Sequence, residues 1–272
     1  MEAAAIFSSS TFRCTVAYYV AGHIVLLPLL RRSEGTERGR SERQSPSVRS
    51  LELVRQVLSI PALVLMACTG LQMWFTSVPG FNATTAEERL FGRGAAESPA
   101  SEQLALFAFS YTVVDLVLLV AMACISAKPR ELQTMLAHHV CMVALVYHSL
   151  RSSWVQYYGV FYVGVAEASS VPLAAMNLLR LANEGRSKPL LPRLGMLLQI
   201  SFAALFLVIR GPCWLFVNYR FFSDAVPLLS AASESRHGVG VTAICMWLLA
   251  NILLTVLQIH WARKIVRGAS AA

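Results

Sequence analysis

A few ionisable side chains interrupt the long apolar blocks of this 272-residue chain. They are the adjacent pair His138 and His139, the acids Asp115 and Glu167, and Arg210. An ionised side chain at the middle of a membrane span costs about 2.5–3.5 kcal/mol on the insertion scale, so each of these residues needs a partner or a function. Histidine titrates near neutral pH and can act as a general base, while a carboxylate can orient it. The pattern indicates polar-group binding or proton transfer inside an apolar helical bundle.

The histidine pair points to two different environments. Neighbouring residues on a helix project about 100° apart, so His138 and His139 cannot easily bind one metal ion together. We therefore expect no metal site and no cofactor. One histidine is expected to turn into a cavity while the other bonds to a neighbouring helix. The alternative is that both histidines make interhelical hydrogen bonds and only support packing.

A stripe of small and polar residues follows the fifth apolar block. Glu167, Ser170, Ala174 and Asn177 have the spacing i, i+3, i+7 and i+10, which places them on one face of a helix. Such a face is expected to point into the bundle, either for interhelical hydrogen bonding or around a lipid headgroup. Pro172 leaves a backbone carbonyl without its donor, so we expect a local kink beside the stripe.

Only two of the fifteen acids, Asp115 and Glu167, lie within the predicted spans. At about 1.5 Å per residue, Asp115 is roughly 16 Å, Glu167 roughly 18 Å and His138 roughly 9 Å from the cytosolic span ends, so the three can share one cytosol-facing cavity. In one arrangement each acid pairs with a histidine or with Arg210 and stabilises packing. In the other the acids line a hydrated pocket, which we favour because residues 166–170 are all small apart from Glu167.

Composition defines the fold class. The chain is 56% hydrophobic and 14% charged, with a mean hydropathy of +0.56, against about 25% charged residues in soluble domains. This excludes a soluble enzyme and a disordered chain, and predicts an all-α polytopic bundle. Its basic residues lie between the apolar blocks and form no patch for nucleic acid. We predict seven spans, at residues 11–30, 58–75, 104–126, 132–150, 154–179, 194–217 and 239–260.

The distribution of basic residues predicts the orientation of these spans. With the N-terminus outside, 16 of the 23 Lys and Arg residues face the cytosol, 6 face the other side, and Arg210 lies within a span. The C-terminus is then cytosolic, and the glycosylation sequon at Asn82 is on the opposite side. The three lysines, Lys128, Lys188 and Lys264, all lie outside the spans. The predicted spans therefore contain no lysine that could form the Schiff base of a retinal-binding pump.

Four sequence stretches and the tail resemble the TLC domain family, which includes the ceramide synthases. Their order and spacing match the family from about residue 51 to the end. The stretches are YTVVDL at 111–116, LAHH at 136–139, EASS at 167–170 with Asn177, RGP at 210–212, and WARKIVRG at 261–268.

This resemblance implies a first transmembrane helix and basic cytosolic loop over residues 1–50, and a six-helix TLC-like domain over residues 51–268. It implies a lipid-homeostasis protein of the endoplasmic reticulum whose partners are membrane lipids. Glu167, Ser170, Asn177 and Arg210 are then the candidate lipid-binding residues.

The alternative is a ceramide-synthase-like N-acyltransferase that uses acyl-CoA as cosubstrate. In that enzyme His138 or His139 would be the general base and Asp115 would orient it. The ceramide synthase subgroup carries paired aspartates in the fifth span, where this chain has Glu167 and no aspartate. The first function is therefore favoured.

Overall fold

The computed structural model describes residues 3–34, 46–77, 85–91, 98–126, 132–152, 154–184, 186–231 and 240–270. Within these ranges the chain forms helices and no strands, as the composition predicts. The sequon at Asn82 lies outside the described residues. The helices are α1 (Ala3–Ser8), α2 (Ser10–Glu34), α3 (Pro46–Gln72), α4 (Ala86–Phe91), α5 (Ser98–Ile125), α6 (Gln133–Ser152), α7 (Gln156–Val163), α8 (Ser170–Asn183), α9 (Pro192–Val208), α10 (Trp214–Ala225), α11 (Leu228–Ala231) and α12 (Val241–Ser270).

Three short stretches of non-α helix extend or join these elements. A π-helical turn, Met73–Ser77, extends α3. A 3₁₀ segment, Val165–Ser169, joins α7 to α8, and a second π-helical turn, Ile209–Cys213, joins α9 to α10. Pro212 lies within the second π-helical turn, and Pro172 is the third residue of α8, which follows the 3₁₀ segment. Because proline lacks a backbone N–H, each of these positions loses one helical hydrogen bond.

Five helical stretches of the described chain are long and apolar enough to cross a membrane. The two other long helices, α2 and α6, have 25 and 20 residues and are not among these five, so the count of seven spans stays a prediction. Histidines and Arg151 lower the apolarity of α6. The five stretches are Val48–Thr76, Ala100–Ile125, Tyr157–Asn183, Pro192–Ala225 and Val241–Arg267.

Two helices extend beyond the predicted spans and bring charged residues into the interior. Helix α3 begins at Pro46 rather than near residue 58, so Arg55 lies within a membrane-spanning stretch instead of in the preceding loop. Helix α10 ends at Ala225 rather than at residue 217, and its Asp224 is buried. The expectation that Asp115 and Glu167 are the only acids within spans is therefore wrong. Hydropathy alone places a span end at the first charged residues, even where those residues are paired inside the bundle.

A buried ion pair attaches the short helix α4 to the bundle. Arg89 donates from Nε and Nη2 to the two carboxylate oxygens of Asp224, at 2.6 and 2.7 Å. The Tyr158 hydroxyl donates to the same carboxylate. The hydrogen bonds to Asp224 raise the pKa of Arg89 above its ordinary value. Helix α4 is therefore held against α7 and α10 by a charged contact that hydropathy does not reveal.

Candidate functional site

The centre of the site is the fully buried carboxylate of Asp115 on α5. Arg55 on α3 donates to it from two nitrogens, with Nε 2.6 Å from Oδ1 and Nη2 2.8 Å from Oδ2. Such a two-point contact fixes the geometry of both side chains as well as balancing their charges. Sequence reasoning missed Arg55 as a site residue because it assigned this position to the cytosolic loop. The available signal was the acid itself, since an intramembrane aspartate requires a cationic or protonated partner.

His139 on α6 completes this cluster. Its Nε2 lies 2.7 Å from Oδ2 of Asp115, and its Nδ1 lies 2.9 Å from the backbone carbonyl oxygen of Met135. Both ring nitrogens are therefore engaged and the ring orientation is fixed. The prediction that one histidine bonds to a neighbouring helix is confirmed for His139.

His138, the preceding residue, has a different environment. Its ring lies edge-on to the ring of Trp261 on α12, with 5.7 Å between the centroids. Its Nδ1 is buried and has no hydrogen-bond partner among the described residues. His138 therefore offers a polar atom in the protein interior that the surrounding described side chains do not use.

A second cluster surrounds Arg210 in the π-helical turn. Its Nε donates to Ser169 Oγ at 2.9 Å. Its Nη2 lies 3.1 Å from both the Ala166 carbonyl oxygen and Ser170 Oγ, and 3.5 Å from Glu167 Oε1. Arg210 thus holds the 3₁₀ segment and the first residue of α8 through three close hydrogen bonds, with one longer contact to the acid. The Glu167 side chain remains 16% exposed.

The segment that Arg210 holds is where the fifth apolar block leaves α-helical geometry. Pro172 has no N–H to donate to the carbonyl of Ala168, and the chain is 3₁₀ over Val165–Ser169. The change of geometry lies on the N-terminal side of Pro172, which is itself within α8, so the predicted kink beside Pro172 stays a prediction. The predicted stripe is only partly correct, because Glu167 lies in the 3₁₀ segment and not on the same α-helix as Ser170 and Asn177.

The predicted site residues fall into two clusters rather than one continuous group. Asp115 and His139 belong to the first, while Glu167, Ser170 and Arg210 belong to the second. Asn177 on α8 is half-buried, and its side chain makes no hydrogen bond within the described ranges. Each acid thus has a basic partner, as in the packing arrangement considered above. No three histidine, cysteine, aspartate or glutamate side chains in the described chain are placed to hold a metal ion.

Comparison with known proteins identifies the family to which the chain belongs. The family model for the TLC domain matches residues 53–267, which is most of the chain and includes both clusters. No curated relative and no solved structure matches the chain significantly. The match contains Arg55, Asp115, both histidines, Glu167 and Arg210. The chain therefore belongs to the TLC domain family.

Proposed function

We propose that this protein acts in membrane lipid homeostasis, by binding or adjusting acyl lipids between its helices. The unused Nδ1 of His138, next to the fixed His139–Asp115–Arg55 cluster, is the observation that carries the proposal. A buried polar atom without a partner is unfavourable unless a ligand or water satisfies it. Glu167 supports the same interpretation, because its carboxylate keeps some exposure inside an apolar bundle.

The outer surface of the bundle supports lipids as the partners. Large apolar side chains on α9 and α12 are exposed, as expected for helices that contact acyl chains. Examples are Leu197, Ile200, Leu249, Leu253 and Val256. The proposal places the protein in the endoplasmic reticulum, with its C-terminus in the cytosol. The distribution of basic residues, 15 against 6 once Arg55 is counted inside the bundle, supports that orientation.

Lipidomics of cells that lack the protein tests this function. Wild type, His138→Gln and Glu167→Gln are expressed at equal levels, and the lipid profile is compared with that of the parental cells. We expect wild type to restore the profile and both variants to fail while keeping normal abundance. His148→Gln is the matched control, since His148 lies on the same helix α6 and outside both clusters. Full rescue by both variants would show that the polar residues only support packing.

The second candidate function is N-acyl transfer, in which the unpartnered Nδ1 of His138 would act as the general base. An amine would attack the carbonyl carbon of an acyl-CoA thioester. The new C–N bond forms, the C–S bond breaks, the amine proton passes to Nδ1 of His138, and the thiolate takes up a proton to leave as the thiol. The cluster of Asp115 and Arg55 would keep His139 fixed beside the reacting groups.

An acyl-transfer assay distinguishes the two functions. Membranes that contain wild type or His138→Gln are given a labelled sphingoid base and acyl-CoA, and amide formation is measured. Product that requires His138 supports the transferase. A lipidomic effect without any amide formation supports the first function.

A further inference from the structure

Helix α12 carries a set of buried polar groups that neither cluster uses. Gln258 is 2% exposed, and both its Nε2 and its Oε1 lack a hydrogen-bond partner among the described residues. A carboxamide with neither group satisfied is rare in a protein interior, and rarer inside a membrane, where water is scarce. The position of Gln258 is therefore informative about what occupies the space beside it.

The contacts between α10 and α12 give the level of Gln258 in the bundle. The rings of Phe221 and Trp247 lie 6.0 Å apart, and Trp214 Nε1 donates to Thr255 Oγ1 at 3.0 Å. Helices α10 and α12 are therefore antiparallel, because the contact that lies earlier on α10 lies later on α12. One further turn places Gln258 at the level of Arg210 in the π-helical turn.

On its other side, Gln258 approaches the histidine pair. Trp261 follows Gln258 by three residues and lies on the same face of α12. The Trp261 ring contacts the ring of His138 on α6. Gln258 and His138 thus border one seam between α6, the π-helical turn and α12. Both contribute buried polar atoms that have no partner within the described chain.

The charges beside this seam indicate which kind of group it accepts. Arg210 faces Glu167, and Arg55 faces Asp115, so each guanidinium already has a carboxylate. The unused groups are a neutral carboxamide, which both donates and accepts, and an imidazole nitrogen. Their complement is an uncharged group that also donates and accepts, rather than a phosphate.

We propose that Gln258 and His138 bind the uncharged hydroxyl or amide head of an acyl lipid in this seam. The inference rests on the proposed lipid function and adds the chemical class of the headgroup. It also assigns to Gln258 a binding role that hydropathy and motif spacing do not indicate. A hydroxyl and an amide make the same pair of hydrogen bonds, so a competition experiment must separate them.

Four probes with the same C18 chain test the headgroup. The full chain is placed in phosphatidylcholine nanodiscs, and binding of tritiated oleyl alcohol is measured against unlabelled oleyl alcohol, oleamide, methyl oleate and oleyl phosphate. We expect the alcohol or the amide to compete best, and the stronger of the two identifies the natural head. Methyl oleate, which only accepts, should compete roughly tenfold more weakly, since it loses one hydrogen bond. Equal competition by the ester, or strongest competition by the phosphate, would overturn the proposal.

The variant Gln258→Leu tests the residue. We expect it to bind oleyl alcohol and oleamide roughly tenfold more weakly than wild type. Its melting temperature without ligand should equal or exceed that of wild type, because it removes two unsatisfied polar groups. Gln199→Leu is the matched control, since Gln199 on α9 is exposed and should leave binding unchanged. If the leucine variant does not fold, Gln258→Met supplies an unbranched apolar side chain of similar length.

The outcomes separate this inference from the proposed function. If folded Gln258→Leu binds the alcohol and the amide as wild type does, Gln258 has no binding role in the seam. The lipidomic test of His138→Gln would still decide the lipid function. A wild-type protein that binds none of the four probes would also refute the seam. Weaker binding in Gln258→Leu but not in Gln199→Leu would support it.

Discussion

Nε2 of His139 lies 2.7 Å from Oδ2 of Asp115, whereas Nδ1 of His138 is buried without a hydrogen-bond partner in the described chain. Two identical residues, adjacent in sequence, therefore have different roles. The helical rotation between neighbours turns His139 toward α5 and His138 toward α12. The first ring thus makes a structural contact, while Nδ1 of the second is the atom that the proposed lipid function uses.

This division predicts unequal effects of removing the two rings. His139→Leu loses a hydrogen bond to a charged group, which should lower the free energy of unfolding by about 1.5–3 kcal/mol. His138→Leu loses no hydrogen bond among the described residues and should change stability much less. Thermal unfolding of the two purified variants in detergent gives the comparison. Equal destabilisation by both substitutions would contradict the division of roles.

The pair of Arg55 and Asp115 predicts a rescue by double substitution. Asp115→Leu leaves the buried guanidinium without its carboxylate and should cost about 3–5 kcal/mol. Arg55→Met combined with Asp115→Leu removes both charges and should recover the part of the loss that comes from the unpaired guanidinium. The part that comes from the lost hydrogen bond of His139 should remain. Reversible unfolding in mixed micelles measures both variants.

The control for this experiment is a more exposed ion pair on the same helix. Arg49 Nε lies 3.2 Å from Glu184 Oε2, and the two side chains are 24% and 34% exposed. Glu184→Gln should therefore cost less than about 1 kcal/mol. A double variant less stable than Asp115→Leu alone would show that the two charges act independently.

The sequence was sufficient to identify the residues that the membrane makes costly. Asp115, His139, Glu167 and Arg210 stand out because each is ionisable within an apolar block, and each has a polar or charged partner in the structure. The missing N–H of Pro172 also predicts a disturbance in this part of the fifth block, and the 3₁₀ segment lies just before that residue.

Other parts of the site depend on contacts that hydropathy does not encode. Arg55 lies close to the end of an apolar block, and only its distance from Asp115 shows that it belongs to the interior. Asp224 was placed beyond a predicted span end for the same reason. Gln258 is uncharged, so only its burial without a partner distinguishes it from a lipid-facing glutamine.

The contacts of Arg210 require the planar guanidinium group. It donates from two nitrogens to Ser169, Ala166 and Ser170, and the single ammonium of a lysine cannot reproduce this geometry. Arg210→Lys should therefore lower stability by about 1–3 kcal/mol. Glu167→Gln should cost less than about 1 kcal/mol, because its contact with Arg210 is 3.5 Å long. Thermal unfolding of the purified variants checks this order. A larger loss of stability for Glu167→Gln than for Arg210→Lys would show that the acid, and not the serine and carbonyl contacts, is the main partner of Arg210.

The distribution of basic residues predicts the topology. With Arg55 counted inside the bundle, 15 basic residues remain on one side against 6 on the other, so the C-terminus should face the cytosol. A C-terminal tag on the protein in sealed microsomes should then be digested by added protease. Any glycan at Asn82 should be on the protected side, and Asn82→Gln should remove the mobility shift caused by endoglycosidase. A tag that is protected from the protease would show that the orientation is the opposite of the predicted one.

The close approach of Gly70 and Gly164 predicts that no side chain larger than that of glycine fits where α3 meets the junction of α7 and the 3₁₀ segment. A Cβ added to Gly70 would lie 2.4 Å from Cα of Gly164, and a Cβ on Gly164 would lie 2.6 Å from Cα of Gly70. These are backbone atoms, so a side-chain rotation cannot relieve the overlap and the helices must separate. Each alanine substitution should therefore cost about 1–3 kcal/mol or more.

Gly159 on α7 provides the matched control. An added Cβ there meets no atom within 4 Å, and alanine favours the helix over glycine by roughly 0.5–1 kcal/mol. Gly159→Ala should therefore preserve or raise the melting temperature, while Gly70→Ala and Gly164→Ala lower it. Because Arg210 holds the 3₁₀ segment that begins directly after Gly164, the two destabilising variants should also weaken lipid rescue in cells. Normal stability of Gly70→Ala would show that the two backbones are not in close contact.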